Sequence, residues 1–197
     1  PDWKPNVYEK ETDPIRAIYS RRADHIMQIG EEAPTAQPDL RPGQIVIKDL
    51  DGYVRDENGN PKVDENGRFM LLGRPDGIID EADTELIGTL DPGWMASMTN
   101  TFKYKGFDLN IMFNGMFDRI MQDPTEMDFG VNGGGIAQSG YNMLRTIKDR
   151  WTFDNPSTTR PSSYYITGTN YTAGDFFYQK AWFIRLQNIS LGYTLPK

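Results

Sequence analysis

The clearest pattern in the chain is a pair of alternating runs. In "GWMASMTNTFKYKGFDLNIMFNGMF", Trp94, Ala96, Met98, Phe102 and Tyr104 share one parity, broken only by Asn100, while Ser97, Thr99, Thr101, Lys103 and Lys105 hold the other. Beyond Gly106, the residues Phe107, Leu109, Ile111, Phe113 and Phe117 take one face, and Asp108, Asn110, Met112 and Asn114 the opposite one. Successive side chains on a strand point to opposite faces. The segment 93–118 is therefore predicted to be a hairpin of two long strands turned at Lys105-Gly106.

The last segment, 176–197, carries the same signature with one slip. Ile184 and Leu186 share a parity, Ile189, Leu191, Tyr193 and Leu195 share the other, and the change falls at Gln187-Asn188. Either a bulge sits there, or the two halves of one strand face different surroundings. Elsewhere the pattern is weaker. Residues 1–44 are loop-rich and punctuated by proline, with a strand expected at Ile15 to Tyr19 and a short helix or strand near His25 to Ile29. "GQIVIKDL" reads as a strand between Gly43 and Gly52. "DENGN" at 56–60 and "DENGR" at 64–68 form a short repeat, and Asn-Gly between extended flanks is a hairpin signal of type I′. Residues 119–175 form a long polar connection. It contains one helical spacing, Met143, Leu144, Ile147 and Trp151.

Arms of ten residues or more exceed the five to six that are usual in soluble sheets. They match the ~10-residue alternating segments of outer-membrane barrels, which pair short turns at one end with long loops at the other. A soluble antiparallel sandwich also alternates, so that reading stays open at this point.

Composition narrows the choice. The net charge of −7 argues against a nucleic-acid surface. There is no cysteine, so disulfides and thiolate chemistry are excluded. Mean hydropathy is −0.62, and no run approaches the roughly 20 apolar residues of a spanning helix, a limit that does not touch β spans. The opening "PDWKPNVYEK" has neither an initiator Met nor a signal-peptide core, and looks like a piece of a longer protein.

Within the region 45–92, residues 48–88 hold seven aspartates. A calcium loop of EF-hand type sets ligands at positions 1, 3, 5, 7, 9 and 12 with Gly at 6. Reading "DLDG" as its first part and "DGIIDEAD" as its second places Asp49, Asp51, Asp76, Asp80 and Asp83 as ligands of a structural Ca²⁺, with Gly77 at the turn and 53–75 as an insertion. The competing account is a set of Asp-Gly turns whose carboxylates cap backbone N–H groups. Other chemistry is sparse. His25 is the single histidine, which excludes His-dependent triads and multi-His zinc sites. Gly133-Gly134-Gly135 lacks the rest of a phosphate loop. No pair of carboxylates is placed at a defined separation, so an enzyme is not expected. Trp151, Tyr164, Tyr165 and Tyr171 lie among Asn, Ser and Thr, where aromatics either stack on sugar rings or pin a loop.

The order "GQIVIKDLDG…DGIIDEADTELIG", "YKGFDLNIMFNG", "RWTFDNPSTTRPS" and "FIRLQNISLGYTLPK" resembles the C-terminal third of SusC/RagA-type TonB-linked outer-membrane transporters. Asp49 to Gly52 and Asp76 to Asp83 match the family's acidic loop, Tyr104 to Leu109 its hairpin, Trp151 to Pro156 a loop motif, and Arg185 to Pro196 the closing strand. The resemblance covers residues 43–197, with 53–75 inserted. It implies an all-β fold of antiparallel transmembrane strands, part of a large, 22-stranded barrel in the cell outer membrane with long extracellular loops. It also implies import of glycans or peptides captured by a SusD-like surface lipoprotein and driven by TonB, which would contact another part of the parent protein. Phe107, Leu109, Ile111 and Phe113 would then face outer-membrane lipid. The alternative expectation is a secreted soluble β domain that binds carbohydrate and holds a structural calcium.

Overall fold

In the computed structural model, residues 12–131, 140–163 and 174–196 are described. The chain is all-β, with antiparallel strands β1 (Ala17–Arg21), β2 (Ala23–Ile26), β3 (Ile45–Ile47), β4 (Thr84–Thr89), β5 (Trp94–Tyr104), β6 (Phe107–Phe117), β7 (Ile120–Gln122), β8 (Tyr178–Lys180) and β9 (Phe183–Tyr193). They form four small sheets, ordered β1-β4, β2-β3, β5-β6-β9 and β7-β8. The described strands do not close a barrel. No helix among the described residues is long and apolar enough to cross a membrane. The chain divides into two compact units, one of Pro1–Asp13, Ile18–Ile87 and Gln122–Tyr178, the other of Pro14–Ala17, Gly88–Met121 and Gln179–Lys197.

The second unit is built on the three-stranded sheet. Its register pairs Trp94 with Phe117, Met98 with Phe113, Asn100 with Ile111 and Phe102 with Leu109. Across the other edge of β6, Leu109 meets Leu191, Ile111 meets Ile189, Phe113 meets Leu186 and Gly115 meets Ile184. The register shifts between Met112 and Phe113, where Asn188 and Leu186 are the partners and Gln187 is left over. The parity slip is thus a bulge. The extra residue returns Ile184 and Leu186 to the face held by Ile189, Leu191 and Tyr193. Met95, Met112, Met116 and Phe183 lie on one side of the sheet, and most of the large apolar residues of the three strands lie on the other.

That side is uncovered. Met98, Phe102, Ile189 and Leu191 are 56%, 57%, 60% and 71% exposed, and within this unit no second sheet or helix lies over Phe107, Leu109, Ile111 and Phe113, of which Phe107 is exposed and the others half-buried. Rings gather at both ends of the face. Trp94 stacks on Phe117 at 3.9 Å and Phe117 on Trp182 at 6.5 Å at one end, and Phe107 lies 4.5 Å from Tyr193 at the other. The opposite face carries the sheet's polar pairs, with Met95, Met112, Met116 and Phe183 among them. Lys103 pairs with Asp108 at 3.6 Å, Asn110 donates to the Thr101 hydroxyl at 3.1 Å, and Asn114 donates to Gln187. The hairpin turn has positive φ at both central residues, 45° at Lys105 and 83° at Gly106. It is the type I′ geometry whose twist suits two-residue hairpins. A Cβ at Gly106 would stand 2.9 Å from the Thr194 carbonyl, so glycine is required twice over there.

The first unit has a small core around β2 and β3. Ile26 faces Ile45 in the ladder, and the two pack with Ile47 and Trp151, joined by Ala23, Ile79 and Phe176. Val46 points the other way, into Met27 and Leu40. The three residues of β3 are all buried, because each face of this short strand meets apolar side chains drawn from distant segments.

Two local expectations are corrected. The segment around Met143 to Trp151 forms only a 3₁₀ turn at Arg145–Asp149, with extended backbone at Leu144 and Arg150 on either side. Burying Trp151 in the core takes it off any helical face, and packing overrides a weak propensity. The two Asn-Gly turns are hairpins, but Asn58 and Asn66 keep negative φ while Gly59 and Gly67 take 84° and 76°. In each, the aspartate side chain accepts from the backbone N–H groups two and four residues on: Asp56 from Asn58 and Asn60 at 2.8 and 2.9 Å, Asp64 from Asn66 and Arg68 at the same distances. These side-chain bonds favour a type I turn closed by a left-handed glycine over type I′.

Candidate functional site

The excursion 53–75 is a compact three-segment ladder with a period of eight residues. The Val54 N–H donates to Met70, the Met70 N–H to Lys62 and the Lys62 N–H to Val54, at 2.8, 2.9 and 2.8 Å, so the three segments close on one another. The DENG turns make two corners. The third is the point of entry and exit, where the Leu72 N–H donates to Gly52 at 2.8 Å. The two halves of the acidic loop are thereby brought together despite the insertion.

Each of the five aspartates then meets backbone N–H groups. Asp49 accepts from Gly77 at 2.7 Å and Asp76 at 3.2 Å, and Asp51 from Gly52 and Gly73 at 2.8 and 2.7 Å. Asp76 accepts from Ile78 at 3.0 Å, and Asp80 caps the Glu81–Asp83 turn through Ala82 at 2.8 Å. Asp83 is fully buried and uses both oxygens, one accepting from Leu50 at 2.7 Å and Asp51 at 3.3 Å, the other from Asp80 at 2.8 Å. Burial pushes its carboxyl above the ordinary range, against the pull of those three N–H groups. Arg55 supplies positive charge, 3.4 Å from Asp80. Tyr53, buried below it and near Asp80 and Glu81, has its phenol pushed up to about 12. Among the described residues no three His, Cys, Asp or Glu side chains converge as a group able to hold a metal ion. The arrangement shown is that of caps.

A second feature lies beside the core. A cavity of about 550 Å³ opens between the turn at Arg41, Pro42 and Gln44, the segment Arg150 to Phe153, and Ser162-Ser163. Trp151 forms its floor and is only 4% exposed. Gly43, at φ 89°, lets the turn lie against that ring, since a Cβ there would sit 2.5 Å from the indole. Phe153, 75% exposed, crosses Trp151 edge-on at 5.1 Å and forms a wall. The Arg150 guanidinium is steadied by a 2.9 Å bond to the Ile147 carbonyl. Ser163 also lines the cavity, its hydroxyl buried with no hydrogen-bond partner among the described residues.

Of the aromatics singled out in the sequence, Trp151 is therefore the floor of a cavity, and Tyr164, Tyr165 and Tyr171 lie outside the described residues. The exposed ring is Phe153, with Arg41 and Arg150 beside it. Sequence reasoning passed over these three, although the alternation of Arg150, Trp151 and Phe153 within four residues was a usable signal. His25 lies in a separate surface cluster. Its ring bonds Asp24 at 2.9 Å and also Glu31, and these bonds raise its pKa, the Asp24 contact most.

No family model matches the chain. Over 191 residues, 95% of its length, it is 25% identical to TonB-dependent receptor P3 of Formosa agariphila. The chain is similar to TonB-dependent receptors. A second one, P26 of the same organism, is 26% identical over 133 residues, 68% of the chain. These alignments occupy 16% and 12% of the two relatives, so the chain spans less than a fifth of the length of either.

Proposed function

We propose that the chain is part of the barrel wall and outer loops of a SusC/RagA-type TonB-dependent transporter in the outer membrane. That transporter would import glycans or peptides together with a SusD-like surface lipoprotein, and would be a transporter rather than an enzyme. The similarity to two TonB-dependent receptors supports the general class, and the acidic-loop and closing-strand motifs support the subfamily.

One observation carries the membrane placement, the single uncovered apolar face of β5, β6 and β9 bracketed by rings at both ends. Ten steps of ~3.3 Å along β6, tilted by about 40–45° as in outer-membrane barrels, give a height of ~25 Å, the thickness of the apolar band such barrels present to lipid. Aromatic girdles mark its two borders in those proteins. An exposed face of this size on a water-soluble body would drive aggregation. The polar face, with its Lys103–Asp108 pair, is suited to a wet lumen, and the free edges of β5 and β9 would pair with neighbouring barrel strands, because open edges are not tolerated in hydrocarbon. The short Lys105-Gly106 turn then faces the periplasm, and the long connections face the cell exterior.

Single-cysteine labelling tests this, because the chain has no cysteine of its own and any elsewhere in the full-length protein can first be replaced by serine. In the full-length protein in whole cells, Ile111→Cys, Leu191→Cys and Met98→Cys are expected to resist a water-soluble maleimide, while Thr101→Cys and Asn188→Cys react. Equal labelling of the two faces would remove the membrane assignment.

A further inference from the structure

The cluster around His25 holds more than surface packing requires. Both ring nitrogens meet carboxylate oxygens, Nδ1 at 2.9 Å from Asp24 and Nε2 at 2.5 Å from Glu31. A neutral imidazole donates from one nitrogen only and turns a lone pair toward its second partner, whereas the imidazolium donates from both. The arrangement is therefore that of the protonated ring. Its charged neighbours are Asp24 on β2, Glu31 in the turn that follows, and Lys48 just past β3, which lies 3.3 Å from the second oxygen of Asp24. Glu31 then carries the contact further. Its other oxygen accepts from the Gln28 N–H at 2.8 Å, and the Gln28 side chain reaches from the end of β2 to the segment 151–157. The Gln28 amide donates to the Ile26 carbonyl at 2.6 Å and to the Ser157 carbonyl at 3.3 Å, and its oxygen accepts from the Trp151 indole N–H at 3.4 Å. Trp151 is fixed in the core by Ile26, Ile45 and Ile47 as well. Beyond it the segment is a short surface turn, in which Thr152 and Asn155 exchange backbone bonds at 3.0 Å and Phe153 stands exposed as the cavity wall.

We propose that protonated His25 is a clasp that holds the Phe153 wall of the cavity through Glu31 and Gln28, and that loss of its proton loosens that wall. This goes beyond the transport reading and does not depend on it. When the proton leaves, one ring nitrogen faces a carboxylate with no hydrogen between them. Asp24 is retained by Lys48, so the contact given up is that of Glu31, which lies on an exposed turn. The turn 28–31 then loses its brace, and the Gln28 bridge to Ser157 loosens with it. The His25 pKa is raised, most of all by Asp24, so the clasp is closed below the ordinary histidine value and opens as pH rises through the raised one. Toward acid, the bond from His25 holds Asp24 below its ordinary range, and the Gln28 N–H does the same for Glu31. Both carboxylates therefore stay ionised in mild acid, where the ring is charged. The wall is held in mildly acidic water and released in alkaline.

The test is hydrogen–deuterium exchange of the full-length protein in detergent, at pH ~6 and pH ~9 on the acid and alkaline sides of the switch. Mass spectrometry reads the exchange in peptides covering 26–32 and 152–158. Comparison with His25→Gln at each pH removes the intrinsic pH dependence of exchange. On the acid side both peptides are expected to exchange about two- to fivefold more slowly in the native protein than in His25→Gln, the ratio that an exposed ion pair supplies. On the alkaline side the two proteins should match. Gln28→Ala keeps the backbone N–H from which Glu31 accepts, so it should leave the pH response of 26–32 in place while abolishing that of 152–158. A response confined to 26–32 in the native protein refutes the coupling to the cavity wall. A response of 152–158 that survives in Gln28→Ala overturns the route through that side chain. Equal exchange of the native protein and His25→Gln on the acid side refutes the clasp itself.

Discussion

The orientation of the β5–β6–β9 sheet can be tested energetically by placing one lysine at three positions. Ile111 is four residues from Phe107 and six from Phe117, the residues at the two ends of β6. At ~2.5 Å of depth per residue for a tilted strand, it lies ~10 Å from one aromatic border and ~15 Å from the other, near the middle of the apolar band. Ile111→Lys should then destabilise the inserted protein by about 2–4 kcal/mol, the penalty for lysine at the bilayer midplane. Thr99 is next to Asn100, the ladder partner of Ile111, and so has nearly the same depth but points to the polar face. Thr99→Lys should change stability by less than ~0.5 kcal/mol, as exposed substitutions do. Tyr104→Lys keeps the apolar face but moves to the border, where the expected penalty falls to about 0–1 kcal/mol.

The assay is urea unfolding of the full-length protein folded into lipid vesicles, with the folded fraction read from its altered gel mobility without boiling. In equilibrium terms the midplane lysine should shift the folded-to-unfolded ratio by between ~30-fold and several hundred-fold, well outside the spread of such measurements. Equal effects at Ile111 and Thr99 would mean that the two faces meet the same medium, and the bilayer argument would fail. A larger effect at Tyr104 than at Ile111 would invert the depth order, and the placement of the borders would fail with it.

Three further outcomes are expected. Asp83→Asn keeps the shape of the side chain but turns an N–H donor toward one of the backbone N–H groups of Asp80, Leu50 or Asp51, and should cost about 1–3 kcal/mol in chemical unfolding; a neutral result would show that these caps contribute nothing. Calcium titration should give the same flat calorimetric trace for the native protein and for Asp51→Ala with Asp76→Ala, because the acidic loop is held by its own N–H groups; heat that disappears in the double variant would establish the EF-hand-like account instead. His25 has a raised pKa through Asp24 and Glu31, so its contribution is fully present below the ordinary histidine value and is lost as pH rises through the raised one. His25→Gln should accordingly lower the unfolding midpoint more near pH ~6 than near pH ~9, by no more than the ~0.2–1 kcal/mol of an exposed pair, and a pH-independent difference would refute the pairing.

How much of this was legible in the sequence depended on whether a residue's role is set by period or by distant partners. The hairpin of β5 and β6 was fully readable, down to the Lys105-Gly106 turn, because alternation over eleven residues admits one register. The slip at Gln187 left two options, and only the pairing with Met112 and Phe113 chose the bulge. The Trp151 segment was misread as helical because its four apolar residues happen to fit that spacing, whereas Trp151 is claimed by Ile26, Ile45 and Ile47, more than a hundred residues earlier. No local pattern contains that contact. The same applies to the cavity. Arg41 and Ser163 are remote in sequence, and Phe153 was passed over because the tryptophan beside it drew attention first.

The aspartates of the acidic region are best understood from what surrounds them. The excursion 53–75 buries little apolar surface: Tyr53 is in the core, but Val63, Phe69, Met70, Leu71 and Leu72 are exposed. A segment without a core of its own cannot offset the entropy of ordering through hydrophobic burial. It can lower that cost with local bonds, and an aspartate able to accept from N–H groups two and four residues on is an effective local device. Asp56 and Asp64 are both held below the ordinary carboxylate range chiefly by backbone N–H bonds, so these caps tighten as the groups ionise and loosen in acid. Asp49, Asp51 and Asp83 accept from backbone N–H groups across the two ends of the excursion, fastening the start of the loop to its return. On this argument the density of carboxylates reflects the absence of a core under a water-exposed loop. A shorter loop that joined Gly52 directly to Asp76 would need fewer of them, and would lose the Asp51 bonds to Gly73 and Arg74 while keeping those of Asp83 to Leu50 and Asp51.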